Sequence, residues 1–226
     1  MCGIAGYVGL GNEAGNRFLH SSIEQLRHRG PDGNGSWQGK NEPVGLSHVR
    51  LSIIDLTAAA AQPMRADSGC VITYNGEVYN YIELREEIGA HLFYTTSDTE
   101  VVLRAYEKWG EACVDRLRGM FAFSIWDPSK RKLFIARDRF GIKPFYYAVV
   151  GGVFMFASEA KALLPFLKRV ETDLDGLHDY FSFQFCLGDK TMFKGVRQLG
   201  PAHCGWVGNN GRIVLRRYWE VQYDID

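Results

Sequence analysis

Cysteine is scarce and scattered. Cys2, Cys70, Cys113, Cys186 and Cys204 are the five in 226 residues, with no close pair and no Cys/His cluster of zinc-finger spacing. Neither a disulfide scaffold nor a bound metal is therefore expected. Net charge is missing as well: 26 basic residues balance 26 acidic ones, which leaves no field to draw in nucleic acid or an anionic membrane. Long apolar runs are lacking too. The richest, residues 146–157, is broken by Gly151-Gly152, and no basic segment leads into an apolar core near the start. These absences predict a chain with no membrane span and no secretory leader, working in a reducing, cytoplasmic setting.

What is present is enough apolar material for a large core: 46% hydrophobic and 13% aromatic residues place the chain far from the disordered regime. The length suits one large domain. Hydrophobic spacing predicts strands over 4–8, 44–51 and 71–74 and helices over 16–28, 81–92 and 175–183. Ser97-Asp98-Thr99-Glu100 fits a capping box opening a further helix, with Gly110 placed to end it. Segments 120–126 and 133–136 flank the turn Asp127-Pro128-Ser129-Lys130, 145–150 and 153–157 flank Gly151-Gly152, and 204–207 with 213–218 flank 208–211. These read as three hairpins. The strands of the first two are apolar on both faces, so their sheet must be covered on each side.

The chemistry starts at Cys2. Excision of Met1, which small following residues permit, would leave a cysteine with its thiol and a free α-amine on one residue. A thiol of ordinary pKa ~8.5 beside an amine of ~7.7 to 8.0 is a nucleophile with its own base. The alternative is that Cys2 is an ordinary small apolar residue.

Several stretches bear on that choice: Cys2-Gly3-Ile4-Ala5-Gly6, Arg27-His28-Arg29-Gly30-Pro31-Asp32, Arg50-Leu51-Ser52-Ile53-Ile54, Asn75-Gly76-Glu77 and Ser97-Asp98-Thr99-Glu100. Met120-Phe121-Ala122-Phe123 and Ala136-Arg137-Asp138-Arg139-Phe140-Gly141-Ile142-Lys143-Pro144 follow. Together they closely resemble the class II glutamine amidotransferase domain at the front of glutamine-hydrolysing asparagine synthetases, over essentially the whole chain. The resemblance implies an α+β N-terminal-nucleophile hydrolase fold, a four-layer αββα sandwich with two antiparallel sheets. Relatives that begin sugar-phosphate or purine synthesis share the opening Cys-Gly-Ile but usually carry a different stretch in place of Arg29-Gly30-Pro31-Asp32.

The resemblance assigns Cys2 to attack the side-chain amide of L-glutamine, with Asn75 and the Gly76 N–H stabilising the oxyanion. Taken alone, Asn75-Gly76 also fits a type I′ hairpin turn. Arg50 has a guanidinium suited to bidentate capture of the substrate α-carboxylate, or is a surface charge at a strand end. Glu77 and Asp98 match the family's partners for the α-ammonium, although Asp98 also fits a first-turn acid favoured by the helix dipole. Backbone groups of Leu51, Ser52, Ile53 and Ile54 would line the pocket. His28 is at most a loop-ordering residue, since the amine already supplies a base.

No Ser-Gly-Gly-X-Asp-Ser phosphate loop is present. The expectation is a glutaminase domain over 2–215 and a connector over 216–226 toward an ATP-pyrophosphatase synthetase domain. No cofactor is expected for this domain, ATP and Mg2+ serving only the synthetase. The implied partners are L-glutamine and an ammonia-accepting synthetase domain, and a homodimer is compatible with both. Two alternatives remain open, an amidotransferase for another acceptor and a non-catalytic glutamine-sensing domain. The stretch Ala58-Ala59-Ala60-Ala61-Gln62-Pro63 lacks a glycine often found there in the family.

Overall fold

Side-chain parity along a few strands sets the architecture. The computed structural model describes residues 1–223. Among these, β1 (Gly3–Val8), β2 (Gly33–Gln38), β3 (Val44–Arg50), β4 (Met64–Arg65), β5 (Val71–Val78), β6 (Gly119–Asp127), β7 (Lys132–Arg137), β8 (Tyr146–Val150), β9 (Val153–Ala157), β10 (Val196–Gln198), β11 (His203–Val207) and β12 (Ile213–Arg217) build two antiparallel sheets. Their orders are β10-β8-β9-β1-β3-β2 and β12-β11-β7-β6-β5-β4. The helices are α1 (Asn12–Leu26), α2 (Tyr81–Ile88), α3 (Asp98–Trp109), α4 (Cys113–Arg116) and α5 (Leu174–Phe183).

In β6, Ala122 and Trp126 face the first sheet, packing in one core with Ile4, Leu46 and Phe156. The alternate residues Phe121, Phe123 and Ile125 pack with Val102, Leu103 and Tyr106 of α3. β1 behaves likewise: Ile4 and Val8 join the core between the sheets, while Ala5 and Tyr7 meet Phe18 and Leu19 of α1. Period-two alternation thus produces the order helix, sheet, sheet, helix. The doubly apolar hairpins, Gly119–Asp127 with Lys132–Arg137 and Tyr146–Val150 with Val153–Ala157, lie inside it.

Four sequence expectations are revised. α1 starts at Asn12, not 16, because Gly11 enters in an extended conformation and Gly15 sits where a Cβ would overlap the Tyr7 hydroxyl. The strand expected over 71–74 continues to Val78, so Asn75-Gly76 is not a hairpin turn: Asn75 pairs with Ala122 and Gly76 with Phe121. The helix expected over 81–92 ends at Ile88, where Gly89 takes a positive φ before a 3-10 turn, Ala90–Leu92. The box at α3 is half formed. Ser97 Oγ accepts from the Thr99 N–H at 3.0 Å, but Glu100 turns away to accept from the Tyr94 and Thr95 N–H groups. At the other end β12 runs to Arg217. Tyr218 and Trp219 stay tied to the domain, the first through its N–H to Ala202 O and the second by its ring on Phe140. Residues 224–226 of the expected connector lie outside the described residues.

Candidate active site

Four segments converge on one cavity of about 320 Å³: the start of β1, the end of β3 with the loop after it, the second half of β5, and the first turn of α3. Cys2, Arg50, Leu51, Ser52, Ile53, Ile54, Asn75, Gly76, Glu77 and Asp98 all line it. His28 does not; its ring is 52% exposed and bonds Glu159 at 2.8 Å.

Cys2 stands one residue before β1. The Leu51 N–H donates to its Sγ at 3.3 Å, and the thiol faces Leu51 O at 3.5 Å. Burial pushes the thiol pKa up, while the Leu51 N–H, the terminal amine and Arg50 pull it down by less. The resting group is a thiol and needs a base before it can attack. Its carbonyl is fixed by the Arg29 Nε–H at 3.0 Å, and Arg29 is anchored on Glu159 at 2.8 Å. Hydrogen bonds from Arg29, His28 and Lys161 outweigh burial and hold Glu159 down to a pKa of about 2. It is ionised across the working pH range.

Asn75 and Gly76 lie side by side at the cavity wall. Asn75 is 2% exposed and its Nδ2 has no partner in the protein. A buried amide left so costs about 1–3 kcal/mol, the kind of defect that a site keeps for a ligand. The direction of the Gly76 N–H follows from ladder parity. The Tyr74 and Val78 N–H groups point off the edge of β5 to Gln62 Oε1 at 2.7 Å and Asp98 Oδ2 at 3.1 Å. Gly76 lies midway with the same parity, beyond the reach of β4, which pairs only with Val71 and Ile72. No side chain larger than hydrogen fits there: a Cβ would stand 2.5 Å from Met120 O.

Asp98, 5% exposed, accepts from the Tyr74 hydroxyl at 2.6 Å as well as from Val78, both through Oδ2. Burial raises its pKa against those bonds, so an arriving cation would stabilise the ionised form. Arg50 donates to Thr57 O at 2.8 Å and to Asp55 O. Its fork is thus partly committed to the loop of residues 51–57 while it also lines the cavity.

Residues without a local sequence signal hold this arrangement. Asp55 accepts from the Thr57 N–H and hydroxyl at 2.8 and 2.7 Å and from the Thr96 N–H and hydroxyl at 3.0 Å, pinning the loop to the approach of α3. These bonds, the Thr57 hydroxyl foremost, hold its pKa well below the usual carboxylate range. Asp32 takes the Ser52 N–H at 2.8 Å, and Gln62 bridges Tyr74 to Thr99. An Asp-X-Thr turn is a readable motif, whereas Gln62 and Tyr74 act only through contacts across the fold. Among the described residues no group of three His, Cys, Asp or Glu side chains could hold a metal ion, and no helix is long and apolar enough to cross a membrane.

A family model for a glutamine amidotransferase domain matches residues 1–219. The chain is 40% identical over 233 residues to asparagine synthetase [glutamine-hydrolyzing] 3 of Bacillus subtilis, covering 98% of this chain and 37% of that protein. It is 38% identical over 229 residues to asparagine synthetase [glutamine-hydrolyzing] 1 of the same organism, covering 99% and 36%. It therefore spans just over a third of the length of these relatives. A solved glutamine phosphoribosylpyrophosphate amidotransferase from B. subtilis superposes with a TM-score of 0.70 at 18% identity, over 96% of this chain and 49% of that one. That likeness extends the two-sheet architecture to a known amidotransferase fold.

Proposed function

The chain belongs to the glutamine amidotransferase domain family, and from that premise we propose that it hydrolyses L-glutamine to L-glutamate and ammonia through a thioester on Cys2. The ammonia would serve ATP-dependent asparagine synthesis from aspartate by a synthetase domain, in the same protein or in trans. The observation that carries the reading is the unpartnered Asn75 Nδ2, set beside Gly76 in the same cavity as the Cys2 thiol.

In the processed chain the free α-amine of Cys2 takes the thiol proton as Sγ attacks the side-chain carbonyl carbon of glutamine. The carbonyl oxygen becomes an oxyanion, and Asn75 and Gly76 supply fixed donors for it. Collapse breaks the C–N bond, and the α-ammonium returns its proton to the departing nitrogen, which leaves as ammonia. Water, deprotonated by the same amine, then cleaves the thioester to glutamate and restores the thiol. Arg50 would meet the substrate α-carboxylate, and Asp98 with Glu77 the α-ammonium.

Asn75→Ala provides the test of the oxyanion role. It is expected to lower kcat by about 10² to 10³-fold with a small change in KM, measured as steady-state ammonia release per folded molecule. A side chain serving only the strand would instead lower the unfolding temperature and leave kcat nearly unchanged. That outcome would remove the proposed donor.

A further inference from the structure

Lys143 is a charged residue in a place that charge does not favour. It is 5% exposed and lines the cavity with Cys2. Among the described residues, the lysines that form ion pairs are Lys130, Lys161, Lys190 and Lys194. Lys143 is not one of them, and its Nζ instead contacts Met1 Sδ at 3.4 Å. A buried ammonium without a carboxylate is destabilising, so a reason for keeping it is needed.

The backbone around it is built to hold it still. Asp138 Oδ2 accepts the Lys143 N–H at 2.9 Å, and Asp138 Oδ1 accepts the Phe140 and Ile142 N–H groups at 3.1 and 2.9 Å. The Arg137 Nε–H grips Lys143 O at 2.7 Å. Gly141 turns the chain with φ +66°, and Pro144 restricts the residue before it. One carboxylate and one guanidinium thus fix both backbone polar groups of a single lysine and direct its side chain to the residue that precedes Cys2.

We propose that Lys143 is a positioning residue for the reaction at Cys2, its ammonium favouring negative charge on Sγ as the thiol gives up its proton. Loss of Met1 takes away the thioether that Nζ contacts and leaves the ammonium lining the cavity with Cys2. A fixed positive charge at the cavity favours negative charge on Sγ and on the oxyanion that follows. The groups facing Lys143 are Cys2, Arg29 from the turn after α1, Glu77 from β5 and Asp138 from its own turn. Those acting on Cys2 are the amine of Met1, which processing removes, Arg50 and Asp98. Burial lowers the Lys143 pKa, with Cys2 the foremost group opposing it. The assignment rests on the glutamine-hydrolysing reading above.

The test is the pH dependence of Cys2 alkylation by iodoacetamide, without glutamine, on Met1-processed wild type, Lys143→Met and Lys143→Arg, with the adduct located by mass spectrometry. Lys143→Met is expected to move the rise in rate about 1 pH unit upward, while Lys143→Arg stays near wild type. Its unfolding temperature should equal or exceed that of wild type, because an unpaired buried charge has been removed. A folded Lys143→Met protein with an unchanged profile would overturn the proposal, and so would failure of that variant to fold, which would make Lys143 a structural residue. Absence of ammonia release by the wild type would count against the glutamine reading, separately from either result.

Discussion

Cys2→Ala is expected to abolish ammonia release from glutamine, a loss of about 10⁴-fold or more, with no comparable loss of stability. The Cys2 thiol is held by a single weak pair with the Leu51 backbone, and its carbonyl, which Arg29 fixes, is kept in alanine. The two apolar cores either side of the first sheet are made by other residues, from Ile4 onward. The unfolding midpoint should stay within about 4 °C of wild type, the shift of roughly 1 kcal/mol in a domain of this size. Ammonia release and thermal unfolding on the same preparation check both halves. Turnover by the alanine variant would require a nucleophile other than Cys2.

Retention of Met1 should be equally damaging, for a different reason. With Met1 in place the nitrogen of Cys2 is a peptide amide, which has no basicity, and Met1 itself lines the cavity. Burial holds the thiol pKa up, so without the amine no group on the same residue can take its proton. A lysine inserted between Met1 and Cys2, which blocks excision, should give a folded protein without glutaminase activity. The processed chain should be active, with a rise in rate toward the ordinary amine range of ~7.7 to 8.0. Intact mass identifies each form before assay, and equal turnover by the two would eliminate the α-amine as base.

Much of the fold was legible because a few strands state their pattern plainly. Residues 121–126 alternate between two buried faces, and the turns at Asp127-Pro128-Ser129-Lys130 and Gly151-Gly152 mark where hairpins fold back. β2, with Gly33-Asn34-Gly35-Ser36, has almost no intrinsic strand signal; it forms because it adds to the edge of β3, and Gly35 allows the chain to pass 2.3 Å from a would-be Cβ at Gln62 O. Asn75-Gly76 shows the opposite failure. A strong local turn signal is overridden by pairing with Ala122 and Phe121, and that pairing leaves the Gly76 N–H at the edge of β5.

The site divides in the same way. Cys2 stood out by its place after Met1, whereas Arg50, Asn75 and Asp98 were reached through the family resemblance, each alone also fitting a structural role. Gln62 and Tyr74 did not stand out, since each acts on a partner distant in sequence, as in the bond from Gln62 Nε2 to Thr99 Oγ1. Arg29 and Lys143 lay within stretches that carried the family resemblance, yet nothing local shows that one holds the carbonyl of Cys2 and the other lines its cavity.

The most direct test of a nucleophilic Cys2 is labelling of the processed chain with an electrophilic glutamine analogue, followed by peptide mapping. The other thiols offer little competition: Cys70, Cys113 and Cys204 are buried, and burial raises their pKa values, that of Cys204 to about 11. Cys186 is half-buried and lies outside the cavity. One equivalent on Cys2, prevented by glutamine and matched by loss of ammonia release, is the result expected for thioester chemistry at that residue. Label spread over Cys70, Cys113, Cys186 or Cys204, or full activity after Cys2 has been modified, would contradict it.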